Sequence, residues 1–146
     1  MLGGTIQTRD LQAQLLEGEV MDPVGGLILG VGLVFLSLII HFVSHEAVSG
    51  NLDRNSAIGI RTKATRSSDS AWLAGHRAAG PWLLATAITG YAAGLTAIVI
   101  AVTLMANGGD NQAVMVIPLA GFVAVIALLI TAASKANSSA RSASTN

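Results

Sequence analysis

Three long runs without a single Asp, Glu, Lys or Arg decide most of what this chain can fold into: Pro23 to about Ser44, Pro81 to about Ala106, and Ala113 to about Ser134. A helix rising 1.5 Å per residue needs roughly 20 residues to cross a hydrocarbon core, and each run is that long. The expected fold is therefore an all-α integral membrane protein with three transmembrane helices. Apolar residues make up 52% of the chain and charged ones 11%, which excludes an ordinary water-soluble domain. Cysteine is absent, so disulfides, thiolate nucleophiles and Cys-type metal sites are excluded too.

The first run opens on Asp22-Pro23, an N-cap residue type followed by proline at the first helical position. It carries a G-x-x-x-G pair, Gly26 and Gly30, and the second run carries another, Gly90 and Gly94. Such faces let helix backbones approach closely, and packing within the chain is preferred here to dimerisation. Trp82 suits the interfacial belt. The turn Asn107 to Asn111 (N-G-G-D-N) joins the second and third helices as an antiparallel hairpin. In the third, Pro118 is a candidate kink, and Ala120, Gly121, Ala124 and Ala127 offer small side chains for packing.

Residues 1–22 hold Arg9 against Asp10, Glu17, Glu19 and Asp22, with Leu11, Leu15 and Leu16 at near-helical spacing. They read as a short amphipathic surface helix or as a partly ordered tail. The opening residues lack a signal peptide's basic-then-apolar pattern, so the first run is expected to remain as an anchor. Residues 135–146 have little apolar content and are expected to be disordered. Five bases lie between the first two spans, none in the Asn107 to Asn111 turn, one in the N-terminal tail, and two, Lys135 and Arg141, after the third span. That distribution predicts an N-terminus outside and a C-terminus in the cytoplasm.

The spans contain no Asp, Glu, Lys or Arg, which argues against an ion-coupled transporter. His41 and His45 share a helical face beside Glu46, but the H-E-x-x-H order is missing and no further ligand is evident. They read as polar residues at a helix end rather than a metal site, and no cofactor is expected.

The chemically dense stretch is the connection, residues 45–80. Asn55 and Gly59 suit a turn, and Arg61 offers five donors to a carbonyl, a carboxylate or a lipid phosphate. Ser67, Ser68 and Asp69 are N-cap candidates for a short amphipathic helix starting near 69, which Gly80-Pro81 would end or redirect. On it, Trp72 and His76 are four apart, and the helix is expected to lie flat with Trp72 at head-group level and Arg77 near lipid phosphates. An amphipathic connector serving only topology and lipid adhesion is the plainer reading of the same residues.

Asn55, Gly59, Arg61, Thr62, Thr65, Ser68, Asp69, Trp72, His76 and Arg77 stand in register with the pattern N-x-x-x-G-x-R-T-x-x-T-x-x-S-[DE]-x-x-W-x-x-x-[NH]-[RK]. In this the chain resembles the SdpI immunity-protein family of small bacterial membrane proteins. The resemblance implies a bacterial inner-membrane location and resistance to a secreted toxic peptide or signalling through a repressor held at the membrane; it does not imply an enzyme, and none is expected. Larger members carry additional N-terminal spans, which this chain is expected to lack. Three functions follow: immunity or signalling through the cytoplasmic loop, an accessory subunit packing on a larger membrane complex, and a lipid head-group enzyme using Asp69 or His76 with Arg61. The last is the weakest, since no nucleophile–base pair is evident. A membrane-protein partner or a homo-oligomer is expected. Membrane lipid is the expected partner of the bases, and nucleic acid is disfavoured.

Overall fold

A computed structural model describes residues 23–54 and 57–144. Its three helices are α1 (Pro23–Ser49), α2 (Asp69–Asn107) and α3 (Ala113–Ala143), and no strand occurs among the described residues. All three are long and apolar enough to cross a membrane. The expected surface helix or tail at 1–22 lies outside the described residues.

Local chemistry sets the helix ends. Ser68, extended at φ −155°, caps α2 by accepting the Ala71 N–H at 3.1 Å. Gly108, at φ 64°, closes the other end by donating its N–H to the Leu104 carbonyl. Asn111 Oδ1 accepts the Ala113 N–H at 2.9 Å and starts α3. α2 lies between the other two and takes most of the contact with each.

The packing puts small residues inside and large ones outside. Ala79, Ala87, Ala97, Ala101, Ala132 and Ala136 are buried, whereas Ile28, Phe35, Phe42, Ile88, Val99, Val123 and Ile130 face outward. Lipid tails accept the large side chains at no loss, so the helices associate through close backbone approach instead. At the crossing of α1 and α2, Gly30 and Gly94 meet directly: a Cβ at Gly94 would lie 2.8 Å from the Gly30 carbonyl, and one at Gly30 would lie 2.9 Å from that of Gly94. Gly26 fits against Val114, and Gly90 against the Ser37 hydroxyl. Buried Ser37 and Thr86 donate to the carbonyls of Leu33 and Trp82, four residues back in their own helices, each at 2.7 Å.

Three boundaries differ from the sequence expectation. The separate amphipathic helix does not form; residues 69–80 are the first part of α2, which runs straight through Gly80-Pro81. Proline normally turns its predecessor away from helical geometry by crowding that residue's Cβ, and Gly80 has none. The Ser44 hydroxyl of α1 also donates to the Gly80 carbonyl at 3.1 Å, bracing the joint. At the end of the chain, residues expected to be disordered continue α3 to Ala143. Alanine is the best helix former, and Ala132, Ala136 and Ala140, spaced by four, are fully buried. Finally, α1 runs to Ser49, five residues past the apolar run, with Ala47 buried against the bundle.

Candidate functional site: a built loop at one end of the bundle

The C-termini of α1 and α3 and the N-terminus of α2 share one end of the bundle, and the 50–68 connection is folded onto it. Its centre is Thr65, which is fully buried. The hydroxyl donates to the Ile60 carbonyl at 2.7 Å and accepts the Thr62 N–H at 2.9 Å, while the Thr62 hydroxyl accepts the Thr65 N–H at 3.1 Å. The two threonines thus close one turn reciprocally. That turn continues through Arg66 N–H to the Thr62 carbonyl at 3.2 Å and leads into the Ser68 cap.

Trp72 and His76, one turn apart on α2, hold the other half. The Trp72 indole N–H donates to the Leu52 carbonyl at 2.6 Å, and the ring is only 3% exposed. His76 Nε2 accepts the Ile60 N–H at 2.9 Å, and its Nδ1 is 2.9 Å from the Trp72 carbonyl. One nitrogen accepts and the other must donate, so the ring is the neutral Nδ1–H tautomer. His76 precedes the apolar run that begins at Pro81. Its burial lowers the pKa, and the bond to the Trp72 carbonyl opposes that shift without overcoming it. The two rings stack at 4.0 Å between centroids, tilted by 38°. Gly59 crosses directly over them at φ 125°; a Cβ there would lie 2.7 Å from His76 Nε2, so the position requires glycine on both counts.

Two expectations for this segment are corrected. Trp72 is not an interfacial ring on a flat-lying helix; it is buried and tied to the loop. The helix bearing it is the first part of a spanning helix and stays packed against α1 and α3, with Gly80 bonded to Ser44 and Gly75 set against Ala136. Of the motif residues, Gly59, Thr62, Thr65, Ser68, Trp72 and His76 come together. Asn55 lies outside the described residues. Arg61, Asp69 and Arg77 are on the surface, and Asp69 Oδ1 is 3.1 Å from Arg54 Nε in an exposed pair. Gly26, Gly30, Gly90 and Gly94 lie in helix contacts away from the motif.

The seat of the loop includes residues outside the motif. A Cβ at Gly75 would lie 2.9 Å from both the Thr65 methyl and the Ala136 carbonyl, so Gly75 lets the loop and α3 close on α2 together. The Ser139 hydroxyl adds a bond to the Ala74 carbonyl at 3.2 Å. The sequence signal for this was the four-residue spacing of Ala132, Ala136 and Ala140. Backbone acceptors such as Leu52 have no side-chain signature. Beside the loop, His41, Ser44, His45, Val48, Ser49 and Leu84 line a groove of about 310 Å³ between α1 and α2. His45 Nδ1 sits 3.4 Å from Glu46 Oε1 and His41 Nδ1 3.4 Å from the Tyr91 hydroxyl; no cluster of three or more metal-ligating side chains forms among the described residues.

The hydroxyls of Thr62, Thr65, Ser67 and Ser68 are all engaged in turn and cap bonds. The charged residues left outward are mostly cationic: Arg61, Lys63, Arg66 and Arg77 against Asp53 and Asp69. A multi-pass membrane protein carrying a folded, basic loop on one end of a three-helix bundle is the class that this fold and site define. The model of the SdpI/YfhL protein family matches residues 51–132, more than half of the chain, and the chain belongs to that family. The match opens in the loop, takes in all of α2 and stops within α3. No curated protein and no solved structure matches it.

Proposed function

We propose that the protein acts without catalysis in a bacterial plasma membrane, giving immunity to a membrane-active peptide or signalling membrane events through the motif loop, with that loop on the cytoplasmic side. One observation carries this reading: the motif's Thr62, Thr65, Ser68, Trp72 and His76 bond inward, leaving a rigid loop that presents Arg61 and Arg77 to the outside. Preorganisation of this kind lowers the entropic cost of docking a protein partner. The charge distribution supports the orientation, since seven of the eight Lys and Arg residues lie at or beyond the loop end of the helices. The alternative, an accessory subunit that docks through its glycine faces, has less support, because Gly26, Gly30, Gly90 and Gly94 are already occupied within the bundle.

Deleting the gene and challenging cells with a panel of membrane-active peptides tests the proposal. Sensitisation restored by the wild-type chain but not by Arg61→Ala or Trp72→Ala at equal abundance is the expected outcome. Affinity purification of the same three forms from native membranes then reports the partner: a stoichiometric protein lost in both variants supports signalling. Unchanged sensitivity throughout, with no protein retained by any form, overturns both.

A further inference from the structure

Where the apolar slab stops is marked by two helices at once. Trp82 opens the apolar run of α2, Lys135 follows that of α3, and the Lys135 ammonium lies 6.0 Å from the Trp82 ring centroid. α1 agrees, since Ser44 at the end of its run bonds to Gly80. Above this level α2 continues as a helix to Asp69. At 1.5 Å per residue, and with the axis near the bilayer normal, Arg77 stands about 7–8 Å above Trp82. The head-group layer of one leaflet is roughly 5–8 Å thick, so Arg77 is level with its outer part. Arg61 is held at the same height, because its neighbour Ile60 bonds to His76, the neighbour of Arg77. Arg54 and Asp69 pair about 20 Å above Trp82, beyond the lipid.

Lys135, level with Trp82, and Arg61 and Arg77, about 7–8 Å above it, all fall within the head-group layer, and we infer that this lower tier binds the phosphate of anionic phospholipid in the adjoining leaflet. All three are exposed, and the wall beneath them is apolar and open to acyl chains, with Leu84 and Ile88 outward on α2 and Ile130 on α3. The only acids described at this end of the bundle are Glu46, Asp53 and Asp69, against seven cations. Guanidinium carries five donors in a fork that matches phosphate. Height excludes an acidic protein as the first occupant of this tier: these cations stand among lipid head groups whatever else docks above. The inference is independent of the loop's protein partner.

The test uses the full chain in nanodiscs containing equal phosphatidylglycerol and phosphatidylcholine, with retained lipid counted by native mass spectrometry. Wild type should retain phosphatidylglycerol preferentially. Each lower cation contributes about fivefold near an anionic surface, so Arg61→Gln with Arg77→Gln and Lys135→Gln should cut that preference on the order of a hundredfold. Arg54→Gln, at the pair about 20 Å above Trp82, removes a charge from the loop without touching the lower tier and should leave the preference within about threefold. Inorganic phosphate and glycerophosphate are added as competitors; failure of both to displace the lipid shows that the chains are recognised with the phosphate, while displacement by either makes this a free-anion site and overturns the lipid assignment. Equal retention of the two lipids by wild type, or equal losses in the two variants with helix content unchanged, overturns the proposal.

Discussion

The two halves of α2 are held by different means. From Leu83 down, helix meets helix through absent side chains: Gly30 against Gly94, Gly90 against Ser37, Gly121 against Ala93. From Asp69 to Gly80, position is set by directed bonds, with Trp72 and His76 each fixing a backbone group of the loop. The environments account for the difference. In lipid an apolar side chain gains nothing by leaving its surroundings, so close contact is what remains. Beyond the lipid, water competes for every donor, and a bond lasts only where burial excludes that competition.

Each half fails in its own way. Gly94→Leu forces a side chain onto the Gly30 carbonyl and should destabilise the whole bundle by about 3 kcal/mol; thermal unfolding in detergent would show it, and an unchanged midpoint would mean that the backbones are not in closing contact. His76→Leu keeps much of the ring's bulk but leaves the partly buried Ile60 N–H without its acceptor, a loss of about 1–3 kcal/mol. The effect should be confined to the loop: amide exchange rises across 57–68 and stays unchanged across 83–105. Exchange rising equally in both would erase the distinction. Thr65→Val, similar in shape and without the hydroxyl, should loosen the same amides by about 1–2 kcal/mol.

Acid should separate the halves without mutation. The folded pKa of His76 is depressed, so the unfolded loop takes up the proton more readily, and stability rises with pH. The contribution is complete above the unfolded value near 6.5 and is lost as pH falls from there through the folded value. Protonation also places a hydrogen on Nε2, where the Ile60 N–H needs an acceptor. Trp72 fluorescence in a Trp82→Phe background should report release on acidification, and His76→Leu should abolish the transition. The smallest effect belongs to Arg54→Ala, whose exposed pair with Asp69 should change stability by less than about 0.5 kcal/mol.

The spans were legible because charge is excluded from them, and the motif was legible because its residues stand in a fixed register. The roles within the motif were not. Thr65 reads as a turn residue and is the buried centre of the loop; Trp72 reads as an interfacial ring and is a buried donor. Spacing places such residues on one face of a helix without saying whether that face meets lipid or a folded connection. Pro81 misled for a different reason: it reads as the end of a helix, whereas α2 continues through it, as α3 does through Pro118; at Gly80 the absent Cβ removes one part of proline's usual crowding. The alanines after Ser134 misled because hydropathy counts apolar area, whereas Ala136 and Ala140 contribute closeness.

Gly75 ties two distant parts of the chain in time as well as in space. The loop is synthesised before α2, and the Ala136 and Ala140 turns that complete its seat come out after both membrane crossings that follow it. A nascent chain thus carries the motif's side chains long before it carries their final support. The surface of the folded loop is therefore complete only once α3 has been made and docked, which makes its formation a mark of completed assembly.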